Sequence, residues 1–275
     1  MAGQTTRRVG LWIVFIIGAL ILLAPSWIMI SNSFSAARAF LRRPPSIFPA
    51  DFTLQHYKKI FALPFLPRWT LNTLLILGVT VVAGVLINGA AGYVFAFSRE
   101  RWARWLFWAF MAPIFVSGYV LIISRFQIVG WLHLPGLAAV LLMSMFWPTG
   151  IFLFRNYFRA IPISLLESAR LDGASEWAIL TRVVLPLSKP IMGTAIVFLG
   201  MGALGSYVWP MLNLQTQASQ TYLVGLMSTT LVSYGVKEIG YNLAVGTMVF
   251  IPYMALFIFS SRYFISGLTG GAMKE

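Results

Sequence analysis

Three carboxylates lie close together in this sequence, Glu167, Asp172 and Glu176. Paired acids are a usual means of general acid–base chemistry, and beside a lipid headgroup they would suit turnover of a lipid or a lipid-linked sugar. The other parts such chemistry needs are missing. The chain has no Cys and two His, which removes disulfides, iron–sulfur clusters and cysteine nucleophiles and leaves almost nothing to ligate a transition metal. It has no HExxH pair, no GxSxG turn and no GxxxxGK(S/T) phosphate loop. No catalytic residue and no metal ligand is therefore assigned, and ATP hydrolysis by this chain is not expected.

The elements that position these acids are membrane helices. With 275 residues, 59% hydrophobic and 10% charged, and a mean hydropathy of +0.82, the chain has more apolar side chain than one soluble core encloses. Six apolar runs, about 9–30, 70–97, 105–124, 137–154, 190–209 and 241–261, each approach the roughly 20 residues that a bilayer span needs. The expected fold class is an all-α membrane protein, a single transmembrane domain over 1–275. The first run follows Arg7 and Arg8 but is too long for a signal peptide and lacks a small-residue cleavage pattern, so it is expected to stay as an anchor.

An even number of spans returns both termini to one side. Most of the 20 Lys+Arg, among them Arg99, Arg101, Arg104, Arg155, Arg159 and Lys189, fall on that side, which makes it the cytoplasm. Arg125 and most of the basic residues of 31–69 fall on the other. The formal charge of +13 is thus read as loops facing anionic headgroups, not as a nucleic-acid surface.

All seven acidic residues lie outside the six runs, which argues against a carrier that uses an intramembrane carboxylate as ion relay. No Lys or Arg falls within the runs either, which argues against a basic translocation pathway. Pro25, Pro113, Pro148 and Pro252 are expected to kink their helices, and Gly202 and Ser206, with Gly193, Gly200 and Gly205, to form a helix-packing face.

The interval 155–189 is too polar for a span and too long for a turn. Ser164 with Glu167 fits a capping box, predicting a helix from Ser164 to Leu171. Asp172-Gly173 should stop it, Ser175 should cap a second helix toward Val184, and Leu185-Pro186 should end that one. Trp177, Leu180 and Val184 would share an apolar face. A surface foot on the headgroups and a docking element for a soluble partner both fit this pattern.

Glu167-Ser168-Ala169-Arg170-Leu171-Asp172-Gly173-Ala174, followed by Val183-Val184-Leu185-Pro186-Leu187, resembles the EAA loop of binding-protein-dependent ABC importer permeases, with Ser168 in place of the first Ala. Phe52-Thr53-Leu54-Gln55-His56-Tyr57, Asn72-Thr73-Leu74 and the tail 267–274 resemble the MalG-type permease of carbohydrate importers. The resemblance implies a six-transmembrane-helix type I ABC importer permease with a cytoplasmic EAA coupling helix in 155–189. It also implies a second MalF-like permease, two ATPase subunits and an extracytoplasmic solute-binding protein as partners. This chain would bind no cofactor, ATP and Mg being held by the ATPase subunits, and would reside in the inner or plasma membrane of a bacterium or archaeon with both termini cytoplasmic.

On that resemblance Glu167, Ser168, Ala169, Asp172, Gly173, Ala174, Leu185 and Pro186 are the ATPase-coupling residues. The tail 267–275 would also touch the ATPase, and 210–240, rich in Gln, Thr and Ser, would face the binding protein. Aromatic and amide groups near kinks or span ends, Asn72, Asn88, Tyr93, Tyr119, Tyr207, Trp209 and Asn213, are candidates for the substrate pathway. A sugar or oligosaccharide is the expected cargo. The alternatives are another solute, such as glycerol phosphate, a polyol or a polyamine, and, from a different class, the lipid or lipid-linked-sugar enzyme.

Overall fold

The computed structural model describes residues 2–41, 47–231 and 238–269, with 2–7, 9, 41, 231 and 261–269 described by their backbone alone. Every regular element among them is a helix. In chain order these are α1 (Ala2–Asn32), α2 (Gln55–Phe61), α3 (Leu66–Phe97), α4 (Arg101–Met111), α5 (Ile122–Trp131), α6 (Gly136–Met145) and α7 (Pro148–Arg159). There follow α8 (Ile163–Leu171), α9 (Glu176–Ile179), α10 (Leu185–Leu187), α11 (Lys189–Gly205), α12 (Val208–Asn213), α13 (Tyr222–Leu231) and α14 (Ile239–Thr269).

Among the described residues four stretches are long and apolar enough to cross a membrane: Gly10–Asn32, Leu66–Phe97, Gly136–Arg159 and Ile239–Ser260. Glu176–Leu187 and Lys189–Gly205, bent by 83° at Ser188, make a fifth if taken together. The run 105–124 is not one helix. Pro113, which lacks an N–H and clashes with the preceding turn, converts the end of α4 to a 3₁₀ turn at Ala112–Phe115, and extended backbone at Val116 precedes Ser117-Gly118. By contrast Pro25 and Pro252 sit inside continuous helices.

The chain divides into two compact units. The first comprises the residues up to Leu66 together with Gly225–Ile251. In it the end of α1 is fastened by a 2.6 Å hydrogen bond between the Ser33 and Tyr57 hydroxyls and by stacking of Phe34 on Phe52. The His56 ring reaches the Ser35 carbonyl at 3.1 Å, in a space that a Cβ on Gly240 would fill. The apolar side chains of α1 are largely exposed, as a lipid-facing helix requires.

The second unit, Pro67–Val224 and the residues from Pro252 on, contains every site described below. Close approach of α3 and α7 is possible because position 92 is glycine: a Cβ there would lie 2.6 Å from Phe154 Cβ and 3.1 Å from the Arg155 amide. Between α6 and α7 the backbone is extended at Phe146 and Trp147, as expected before Pro148. The break exposes a donor and an acceptor inside an apolar bundle, and Asn88, fully buried on α3, satisfies both. Its amide donates to the Met145 carbonyl at 2.8 Å and its oxygen accepts from the Trp147 N–H at 3.1 Å. Gly200 and Gly205 lie against Leu256 and Tyr253, whereas nothing lies within 4 Å of a Cβ on Gly202, so only part of the expected glycine face is a packing face.

Replacing Asn88 by Ala leaves two backbone groups unpaired in an apolar setting, each worth about 1–3 kcal/mol. Asn88→Ala should lower the melting temperature of the detergent-purified protein by several degrees, and an unchanged melting curve would show that the break needs no bracket.

Candidate functional site

The polar interval after α7 folds as a knuckle. Helix α8 begins at Ile163 with Pro162 as its N-cap and no capping side chain, so the Ser164–Glu167 capping box does not form. Pro162, with its fixed φ, starts the helix one residue earlier than Ser164 would. The stop is as expected. Gly173 has φ +81°, its N–H donates to the Arg170 carbonyl and the Ala174 N–H to the Ala169 carbonyl, both at 3.0 Å, the paired closure of a Schellman motif. Ser175 then caps α9, its Oγ accepting from the Ala178 N–H at 3.2 Å.

Leu185-Pro186 does not end the second helix. A π-helical turn at Leu180–Val184 shifts the hydrogen-bond register just ahead of Pro186, relieving the clash a proline makes with the carbonyl four residues back, and the chain stays helical through Leu187. The same turn changes which residues share a face. Leu180 and Val184 are buried with Ile179, while Trp177 is 69% exposed.

The knuckle has a fixed inner side and a free outer side. Leu166, Ile179 and Val184 join Phe154 and Phe158 of α7 in one cluster with Tyr93, Ile191 and Ala195, and Ala169, Ala174 and Leu185 rest on its edge. Tyr93 donates a 2.5 Å hydrogen bond to Glu176, whose other oxygen takes Arg170 Nε at 2.8 Å. That hydrogen bond to Glu176 holds the Arg170 guanidinium above its ordinary pKa. Glu167, Ser168, Asp172, Gly173 and Pro186 are exposed, and Leu171 is 88% exposed. Of the coupling residues named from sequence, five therefore lie on the outer side and three on the seat. The tail residues 270–275 lie outside the described residues.

A second feature of this unit is a cavity of about 620 Å³. It lies where helices stop: the turn at Ser117-Gly118-Tyr119, the α6–α7 break at Phe146 and Trp147, and the end of α11 at Gly205-Ser206-Tyr207. Trp147 and Phe198 stack at 5.5 Å in its wall. The Trp209 indole donates to the Ala139 carbonyl at 3.1 Å, which fixes the ring there. Of the substrate-pathway candidates named from sequence, Tyr119, Tyr207 and Trp209 line the cavity.

The other four candidates lie outside the cavity lining and bond within the chain. Asn72 donates to the carbonyls of Ala218 and Gln220, Asn88 brackets the helix break, Tyr93 holds Glu176, and Asn213 bonds back to the Trp209 carbonyl. Gly202 and Ser206, expected in a packing face, line the cavity instead, and so does Arg125 on α5. Sequence reading placed Arg125 in an outer loop because the apolar run ended one residue before it. The interval 210–240, expected to face the binding protein, contains α13, where Val224 and Leu226 are buried. Among the described residues no three His, Cys, Asp or Glu side chains group as a metal site.

Residues 80–269, which include both the knuckle and the cavity, match the family described as "Binding-protein-dependent transport system inner membrane component". The chain belongs to that family. This permease is 31% identical to the arabinooligosaccharides transport system permease protein AraQ of Halalkalibacterium halodurans, over 82% of this chain and 81% of the relative. It is 28% identical to AraQ of Bacillus subtilis, over 97% and 96%. Its fold matches a chain in the crystal structure of a bacterial ABC transporter involved in the import of the acidic polysaccharide alginate. That match has a TM-score of 0.78 at 23% identity and covers 95% of this chain and 98% of the other. The permease is thus an all-helical inner-membrane transport subunit of a bacterial binding-protein-dependent ABC importer, without catalysis or bound cofactor of its own, and its family implies ATPase and binding-protein partners.

The Tyr93–Glu176 bond is one tie between α3 and the knuckle. Tyr93→Phe removes it at about 1 kcal/mol, so hydrogen exchange in residues 174–180 of the purified permease should quicken about fivefold; an unchanged rate would mean that the apolar seat alone holds the segment.

Proposed function

We propose that this permease forms half of the translocation pathway for a sugar or oligosaccharide, the other half coming from a MalF-like permease. Two ATPase subunits and an extracytoplasmic solute-binding protein complete the importer. Residues 1–275 act as one transmembrane domain with six crossings and both termini in the cytoplasm, the third crossing made by 101–131 as two helices joined by turns. The interval 210–240 meets the binding protein. The arabinooligosaccharide relatives and the aromatic wall of the cavity support a carbohydrate cargo, since sugar rings stack on such faces.

The observation that carries the mechanism is the two-sidedness of the knuckle. Its inner side is locked into the cluster of α7 and α11, and its outer side presents Glu167, Ser168, Asp172 and Gly173 with the exposed Leu171. A partner that grips the outer side must move the spans with it. ATP binding favours the closed ATPase dimer, and the permease conformation compatible with that closure gains population by the same free energy. Ala169, Ala174 and Leu185 keep the gripped surface in register with the seat, and Pro186 belongs to the gripped side.

Gly173→Pro tests this. Proline fixes φ near −65° where the turn requires +81°. The variant should insert normally and lose ATP-driven uptake in reconstituted vesicles, whereas near-normal uptake would refute the coupling role.

A further inference from the structure

Two arginines are half-buried among the described residues, Arg125 and Arg155, the other described arginines being exposed. Arg38 pairs with Asp51, Arg170 with Glu176, and Arg155 donates to the Phe95 carbonyl and lies over the Phe107 ring. The Arg125 side chain, by contrast, makes no ion pair or hydrogen bond among the described residues. Arg125 belongs to the lining of a cavity whose residues include no Asp, Glu, Lys or His. A guanidinium cation is costly to hold in an otherwise uncharged hollow unless it meets an anion there.

The rest of the lining says what kind of anion. Tyr119, Tyr207, Trp209 and the Trp147–Phe198 stack give flat faces for rings, and Ser117, Ser144 and Ser206 give hydroxyls. The planar fork of arginine matches a carboxylate or a phosphate with two parallel hydrogen bonds. A neutral saccharide would offer it only hydroxyls. The reading of a carbohydrate importer, on which this inference rests, leaves the charge of the cargo open.

We propose that the cavity is a transit site for an anionic saccharide, one bearing a carboxylate or a phosphate, and that Arg125 is the residue that selects for that charge. The aromatic walls hold the rings while the guanidinium engages the acidic group. Arg125→Lys keeps the charge and loses the fork, so it retains part of the selectivity; Arg125→Gln loses both.

The test uses the whole importer, with its own ATPases and binding protein, in proteoliposomes supplied with ATP. Uptake is measured for three probes: a neutral arabino-oligosaccharide, a uronate oligosaccharide and a hexose phosphate. The wild type should carry an anionic probe, and which of the two it carries separates carboxylate from phosphate. Arg125→Gln should raise the KM for that probe between about tenfold and a hundredfold, the range for losing a charged hydrogen bond. Arg125→Lys should fall between the two, and any neutral uptake should change less than twofold. Should Arg125→Gln fail to assemble, the same comparison on Arg125→Lys decides. Uptake of the neutral probe alone, or equal loss for neutral and anionic probes, would overturn the inference and leave the carbohydrate importer standing. Retention of a co-purified anionic lipid that is lost in Arg125→Gln, with uptake unchanged, would also overturn it. No uptake of any saccharide would instead remove the carbohydrate reading itself.

Discussion

The structure depends on one apolar contact, the seat formed by Phe154, Phe158, Leu166, Ile179 and Val184, each with essentially no exposed surface. Two of these residues are on α7 and three on the polar interval that follows. Five large side chains removed from solvent give a combined hydrophobic term on the order of 10 kcal/mol, which far exceeds the contribution of the exposed Arg170–Glu176 pair beside them. The ion pair and the Tyr93 hydrogen bond orient the knuckle; the apolar seat holds it. Because closely packed interiors do not deform smoothly, displacement of α8 is passed to α7 and α11 instead of being absorbed.

Breaks in helices shape the cavity. A bundle of uninterrupted helices would fill its own interior. Here Pro113 and Pro148 stop two helices, α11 stops at Gly205, and the space among these ends becomes the cavity. Interrupted backbone in a membrane is tolerated only where protein or a cavity satisfies it. Asn88 does so on both sides of the α6–α7 break, and Trp209 donates to the Ala139 carbonyl of α6. The polar side chains of the bundle thus serve its geometry first, which is why most amides that looked like ligand contacts in sequence are brackets.

Much of the knuckle was legible in sequence because its rules are local. Asp172-Gly173 and Ser175 form the turn and cap that their types require, and the match of 167–174 to a known motif covers the same residues. The capping box failed because Pro162 competes for the same position, and the apolar stripe through Trp177 failed because a π turn, which no periodicity of 3.6 anticipates, rotates the helix. The cavity was harder to read. Its wall combines residues from 117 to 209, and membership depends on where helices stop. Tyr207 and Trp209 were found because aromatics near a span end are a local signal. Arg125 was missed because a basic residue at the edge of an apolar run has the same local signature whether it faces water or a cavity.

The account turns on whether the outer side of the knuckle is where the ATPase takes hold. The chain has no cysteine, so Leu171→Cys provides a unique thiol on the exposed outer side of the knuckle. With a photoactivatable cross-linker on that thiol in the assembled importer, irradiation should join the permease to the ATPase subunit. A thiol that reacts only from the extracytoplasmic face, and yields no ATPase adduct, would contradict the account.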